Sequence, residues 1–230
     1  MSDRLRVPLI ALCPEGIEIP GSIRDLPGFQ EWSHSAAFPE RGRIDWIAGR
    51  MEVDMSPEDL TTHGSPKSAI AGKLVSLIQE PELGLVFIDR ARLSDSTAAL
   101  SCEPDVIAIR RETLEAGGAR LVPRAGKQDR FVEIEGAVDL VVECVSDSSV
   151  VKDRDRLRTA YFEAGVREYW LVDARGDEID FQLLQRRDDD WALTAHDDEG
   201  FAQSAVLGRQ VRLVRRRSAA ALVFFRLEVR

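Results

Sequence analysis

Two carboxylates occupy strand positions where a charge is costly. Asp105 lies in "EPDVIAI" and Glu143 in "VDLVVECVSD", and the rest of each segment is β-branched or leucine-rich in the manner of a strand buried on both faces. An unpaired buried carboxylate costs several kcal/mol even after relaxation, so each acid needs a partner. Two carboxylates brought together repel, and one is pushed toward protonation unless a cation sits between them. A hard divalent ion answers both problems, because Mg²⁺ is typically held by one or two carboxylates together with water and substrate phosphates. The structural alternative is that each acid pairs with an arginine, or that Glu143 leaves the sheet at a strand end. The spacing leaves the two readings equal.

The elements around the acids must bring them together. "RIDWIAGRMEVDM" (Arg43 to Met55) has a glycine between two apolar-rich halves and predicts a β-hairpin. In "THGSPKSAIAGKLVSLIQE", Ser65 is the expected N-cap and Pro66 the first helical residue, with Ile70, Leu74, Leu77 and Ile78 at helical spacing. "LGLVFIDRARL", "EPDVIAIRR" and "VDLVVECV" follow as strands, the last two separated by a polar excursion expected to be an exposed loop or hairpin. "DRDRLRTAYFEAG" places Leu157, Ala160, Tyr161 and Ala164 on one helical face, with Gly165 as its stop. "EYWLVD", "EIDFQLLQR" and "WALTAH" then predict a meander. This order predicts an α/β fold, a mixed sheet flanked by helices with extra antiparallel hairpins, rather than regular βαβ alternation.

One domain accounts for all 230 residues, since no repeat or low-complexity linker divides them. Residues 1–40 are Pro- and Gly-interrupted and predict an arm with a short helix around Leu26–Trp32; residues 186–230 predict a β extension. The apolar runs are too short to span a bilayer, and "MSDRLRVPLIALCPEG" lacks a signal-peptide pattern, so a cytoplasmic protein is expected. Cys13, Cys102 and Cys144 are odd in number and widely spaced, which argues against a disulfide framework or a zinc site. The net charge of −9 disfavours loose binding to a polyanion. It leaves room for a local basic groove, and "KDRDRLR" and "RQVRLVRRR" are local concentrations of cations.

The sequences "EPDVIAI", "VDLVVECVSDSS" and "KDRDRLRTAYFEAGVREYWLVD", in that order, resemble the Uma-two family of putative restriction endonucleases, within the PD-(D/E)XK nuclease superfamily. The resemblance runs from about residue 44 to about residue 185 and is carried most by "AYFEAGVREYWLVDAR". It implies a restriction-endonuclease-like core. It also implies that Asp105 and Glu143 are ligands of a catalytic Mg²⁺ or Mn²⁺, with the main-chain carbonyl of Cys144 as a third. Asp45 stands where the family has an acid in its opening hairpin, and His63 where it has a histidine leading the helix. The superfamily's usual lysine position is Val145 here, and the position on the following helix that carries it in many family members is Leu157. The nearest cations are Lys152, Arg154, Arg156 and Arg158. Lys152 is the lysine among them and, if desolvated, a proton acceptor; an arginine stays charged and could only steady developing charge.

Three functions follow as expectations. The first is Mg²⁺- or Mn²⁺-dependent hydrolysis of DNA phosphodiesters, the second a catalytically silent nuclease-like module that binds nucleic acid or a protein partner. The third is a hydrolase of small phosphate esters, which suits the negative surface. Exposed hairpin edges and the apolar "AAALVFFRLEV" predict a homodimer, unless that segment completes the monomer's own core.

Overall fold

The computed structural model describes residues 11–12 and 18–230. In chain order the arm holds strands β1 (Ala11–Leu12) and β2 (Glu18–Ile19) and helix α1 (Leu26–Ser33). Strands β3 (Arg43–Ile47) and β4 (Arg50–Asp54) form the opening hairpin, followed by helix α2 (Ser65–Leu74). Next come β5 (Gly84–Ile88), β6 (Arg92–Asp95), β7 (Leu100–Cys102), β8 (Val106–Arg110), the short helix α3 (Arg111–Glu115), β9 (Ala119–Arg124) and β10 (Lys127–Gly136). The remainder is β11 (Leu140–Cys144), α4 (Arg158–Glu163), β12 (Glu168–Asp173), β13 (Asp180–Arg186), β14 (Trp191–Leu193), β15 (Ala202–Ser204), β16 (Arg209–Arg217) and β17 (Val223–Val229).

Strand β11 is the middle of a six-stranded sheet ordered β14-β13-β12-β11-β8-β5. It runs parallel to β12 and antiparallel to β8, so the sheet is mixed as expected. Side chains alternate across a strand. Even-numbered Val106, Ala108, Leu140 and Val142 therefore pack on α2 and the sheet β15-β16-β17. Odd-numbered Ile107, Ile109, Val141 and Val145 face Tyr161, Leu157 and Ala160 of the following helix, with Leu93 and Leu100 of a second six-stranded sheet, β4-β3-β7-β6-β10-β9. Burial on both faces explains the near-continuous apolar runs of β8 and β11. Helix α1 begins at Asp25, whose carboxylate caps Gly28 N–H, and packs Phe29 and Trp32 around Trp46. The buried Arg92 pins this arm, its Nη2 lying 2.5 Å from Glu103 Oε1 and its guanidinium 5.3 Å from the centroids of the Phe29 and Phe38 rings.

Several local expectations need correction. The helical winding before α2 starts at Leu60, capped by Asp59, whose carboxylate accepts from the N–H groups of Thr61 and Thr62; Ser65 is not its cap. "LGLVFIDRARL" is two strands in two different sheets. The chain breaks between them at Asp89 and Arg90, both left-handed (φ 42° and 56°), a conformation that aspartate tolerates and arginine rarely adopts. The polar excursion holds the expected hairpin, β9–β10, preceded by the short helix α3. "AAALVFFRLEV" supplies β17, which pairs with β16 of its own chain, the expected alternative to a dimer contact for this segment. Cys102 and Cys144 are buried free thiols; Cys13 and the N-terminal leader lie outside the described residues. No helix among the described residues is long and apolar enough to cross a membrane.

Candidate functional site

The β8–β11 ladder ends at the pair Val142↔Val106, while β11 stays paired to β12 through Cys144. Just past that end stand Asp105 and Glu143, on the same face by their odd parity. The Asp105 N–H points at Glu143 Oε2 (3.4 Å), and the Cys144 N–H donates to Asp105 Oδ2 (2.8 Å). The acids thus converge where two neighbouring strands part. Both are fully buried, with 0% and 1% exposure.

Their partners differ. Asp105 Oδ1 takes Arg43 Nη2 at 2.7 Å and Oδ2 takes His63 Nε2 at 3.2 Å. Burial alone would raise the Asp105 pKa, but the His63 hydrogen bond and the Arg43 charge hold it far below the carboxylate range. The arginine-paired alternative therefore describes Asp105. It does not describe Glu143, whose Oε1 accepts from the Tyr161 hydroxyl at 2.5 Å. Burial, then the charges of Asp105 and Asp153, push Glu143 well above its usual range. That is the behaviour of a like-charge pair short of one cation.

A second ring surrounds the pair. Asp45, two residues from Arg43 and on the same face of β3, accepts from the Glu103 N–H at 3.0 Å. Its other oxygen lies 3.3 Å from Lys152 Nζ. His63 Nδ1 is 2.9 Å from Glu58 Oε1, and Glu58 also holds Lys67, which reaches Asp89. Burial would lower the His63 pKa; the bond and charge of Asp105 raise it to about 9, so the ring is an imidazolium at neutral pH. Burial would likewise lower Lys152, but the charges of Asp45, Glu143 and Asp153 together outweigh it and keep the ammonium charged. Lys152 is therefore a fixed positive charge here and not a proton acceptor.

The segment Lys152–Leu157 is wound in wide i→i+5 turns before α4, a distortion common at functional sites. It turns the neighbours Lys152 and Asp153 inward together. Asp153 Oδ2 is capped by the Ser149 hydroxyl, while its Oδ1 is buried without a partner. Burial raises the Asp153 pKa to about 6 even against the nearby Lys152. The other cations lie apart. Arg154 bridges Asp173 and Asp180, Arg156 meets Glu52, and Arg158 contributes its carbonyl to Trp191. Val145 and Leu157, where the lysine would stand, are core side chains. Cys144 turns its thiol into the opposite core, and burial raises its pKa well beyond catalytic use.

Sequence reasoning missed Arg43, although the two-residue alternation from Asp45 on a predicted strand points to it. It also missed the role of Tyr161, placed on the correct helix face with nothing local to show its acid partner. Among the described residues no group of three or more His, Cys, Asp or Glu is set to hold a metal ion. The donor chemistry still fits Mg²⁺ or Mn²⁺, which take one or two carboxylates beside water and phosphate oxygens: here two adjacent carboxylates stand in mutual repulsion.

No curated protein sequence matches the chain. Among solved structures it is similar to a "putative nuclease belonging to DUF820 from Anabaena variabilis ATCC 29413", with a TM-score of 0.56 and 14% identity over 80% of this chain and 90% of that one. This likeness shows the fold. Residues 26–214 match the family model Uma2, described as "Putative restriction endonuclease". With most of its length matched, the chain belongs to the Uma2 family.

Proposed function

We propose that the protein is a metal-dependent endonuclease that hydrolyses DNA phosphodiester bonds. One observation carries the reading: Asp105 and Glu143 meet on one sheet face at the point where β8 and β11 separate. Cationic Lys152, Arg43 and His63 stand beside them, and a cavity of about 400 Å³ lies on the far side of Arg43, lined by Arg43, Asp45, Ser148 and Lys152 among others. In this reading Asp105, Glu143 and the Cys144 carbonyl hold Mg²⁺ or Mn²⁺. When bound, the ion polarises the scissile phosphate and lowers the pKa of the attacking water. Tyr161 fixes the Glu143 carboxylate. Lys152, held charged by Asp45, steadies negative charge developing on the phosphate. The core around Tyr161 and Val145 keeps bulk water from behind the acids.

The test is nicking of supercoiled plasmid in Mg²⁺ or Mn²⁺ by wild type, Asp105→Ala and Glu143→Ala. Activity lost in both variants supports the reading, and equal nicking by all three rejects it. A silent binding module is the second reading, favoured by the cationic partners that already satisfy Asp105 without any ion. Calorimetry separates the two: an ion site gives Mn²⁺ binding that Glu143→Gln removes. A homodimer in the cytoplasm completes the proposal, and light scattering of the purified chain tests its assembly.

A further inference from the structure

Arg43 stands between the acids and the solvent. Two adjoining cavities, of about 400 and 180 Å³, open over the site, and Arg43 lines both. Asp105 and Glu143 line neither. The acids are thus reached from the cavities past the guanidinium, which keeps 23% of its side-chain surface open and holds Asp105 Oδ1 at 2.7 Å. Its anchor is the first residue of β3, directly after Gly42, which adopts φ 78°. A long side chain rooted at a strand end has room to swing without disturbing the sheet.

The chemistry of this contact has a consequence for any ion. A guanidinium does not lose its proton, so Arg43 is a permanent counter-charge supplied by the chain itself. A divalent cation taking the same Asp105 oxygen would sit beside the guanidinium, and the repulsion between the two like charges favours the departure of Arg43. Guanidinium groups bind phosphate as readily as carboxylate, often with two parallel hydrogen bonds. The cavities that Arg43 lines also present the hydroxyl of Ser148, and the larger one the ammonium of Lys152.

We infer that Arg43 is a tethered counter-cation that closes the acidic pair in the metal-free protein, yields to the incoming ion, and turns into the cavity to hold a substrate phosphate. The inference rests on reading Asp105 and Glu143 as ion ligands. If the closed arrangement is favoured about tenfold, the apparent ion affinity falls about tenfold, because binding must first open the site.

The test uses the full chain as wild type, Arg43→Met, Arg43→Lys and Glu143→Gln, with folding checked by circular dichroism. Mn²⁺ affinity is read from the free-ion spin-resonance signal, and affinity for a fluorescein-labelled DNA duplex in saturating Ca²⁺ from anisotropy. Arg43→Met should bind Mn²⁺ about tenfold more tightly than wild type, with Arg43→Lys between them. Both should bind the duplex several-fold more weakly. Equal or weaker Mn²⁺ binding by Arg43→Met overturns the inference, as does an unchanged duplex affinity. If Arg43→Met does not fold, Arg43→Lys decides by the same criteria. Should Glu143→Gln abolish Mn²⁺ binding while the Arg43 variants match wild type, the Arg43 role alone falls. Should no protein bind Mn²⁺, the endonuclease reading falls with it.

Discussion

The Tyr161 hydroxyl donates to Glu143 Oε1 at 2.5 Å, across a core in which both side chains are buried, while Cys102 Sγ lies 3.5 Å from the same hydroxyl. The tyrosine thus fixes one oxygen of the acid and leaves the other toward Asp105. Tyr161→Phe keeps the packing and removes the bond. The unsatisfied carboxylate oxygen should cost about 1–3 kcal/mol, read as a lower melting temperature. Groups that orient a ligand typically change ion affinity about 10–100-fold, so Mn²⁺ binding should weaken by a factor in that range. A variant with wild-type Mn²⁺ affinity would leave Tyr161 a packing residue only.

The burial and crowding of Glu143 and Asp153 beside Asp105 should appear in the pH dependence of stability without added ion. Glu143 and Asp153 have folded-state pKa values raised above their ordinary ones, Asp153 from 3.8 to about 6. The folded state then holds protons that the unfolded chain has released. The stability tied to these groups is full below the ordinary carboxylate range and is lost as pH rises through the raised values. For Asp153 that window runs from 3.8 to about 6. Glu143→Gln should flatten the fall and melt higher than wild type at neutral pH without ion. Saturating Mn²⁺ should reverse the order, since an ion that binds only the folded wild type stabilises it. Parallel melting curves from pH 4 to 8 would remove the like-charge account.

How much of this was legible in the sequence depends on whether the signal was local. Asp105 and Glu143 stand out because an acid interrupts each apolar run, while the register that puts them on one face, Val142 opposite Val106, is set by strand pairing and was not legible. The helix carrying Tyr161 was legible from its four apolar positions, all of which are buried. The strand break at Asp89 and Arg90 was not, because a lone aspartate inside an apolar run is a weak turn signal and arginine rarely adopts the left-handed region. Nor was the cap at Asp59, since the winding begins five residues before the helix-like periodicity. Partners set by tertiary approach, such as Arg43 with Asp105 across 62 positions, leave no spacing to read. The missing lysine shows the converse. Both positions where it would be sought are core, and Lys152 brings its charge in through a widened turn that no periodicity announces.

His63 gives a second pH signature, of opposite charge but the same direction. Its pKa is raised from 6.5 to about 9, so its contribution is full below 6.5 and is lost as pH rises through about 9. At about 1.4 kcal/mol per pH unit, that shift corresponds to roughly 3 kcal/mol. His63→Gln should therefore be less stable than wild type at pH 6, and the gap should narrow toward pH 10. Chemical denaturation at fixed pH values measures it; a gap that stays constant across the range would place His63 outside the Asp105 network.

Lys152 separates a charge role from a proton-accepting one. Its ammonium lies 3.3 Å from Asp45 Oδ2, and that acid, with Glu143 and Asp153, raises its pKa above the usual lysine value despite burial. A residue so held is protonated at any working pH and cannot take a proton from water. Its contribution must be electrostatic, and removing one preorganised donor from a developing anion typically costs about 10²–10³ in rate. Lys152→Met should then lower the nicking rate by that factor with the shape of the pH–rate profile unchanged. Lys152→Arg, which keeps the charge, should recover a large part of it. Asp45→Asn should behave differently: it releases Lys152 from its counter-ion, so the lysine pKa falls and a new limb should enter the pH–rate profile on the alkaline side. If Lys152→Met instead abolishes an existing limb of that profile, Lys152 titrates during catalysis and serves as a base.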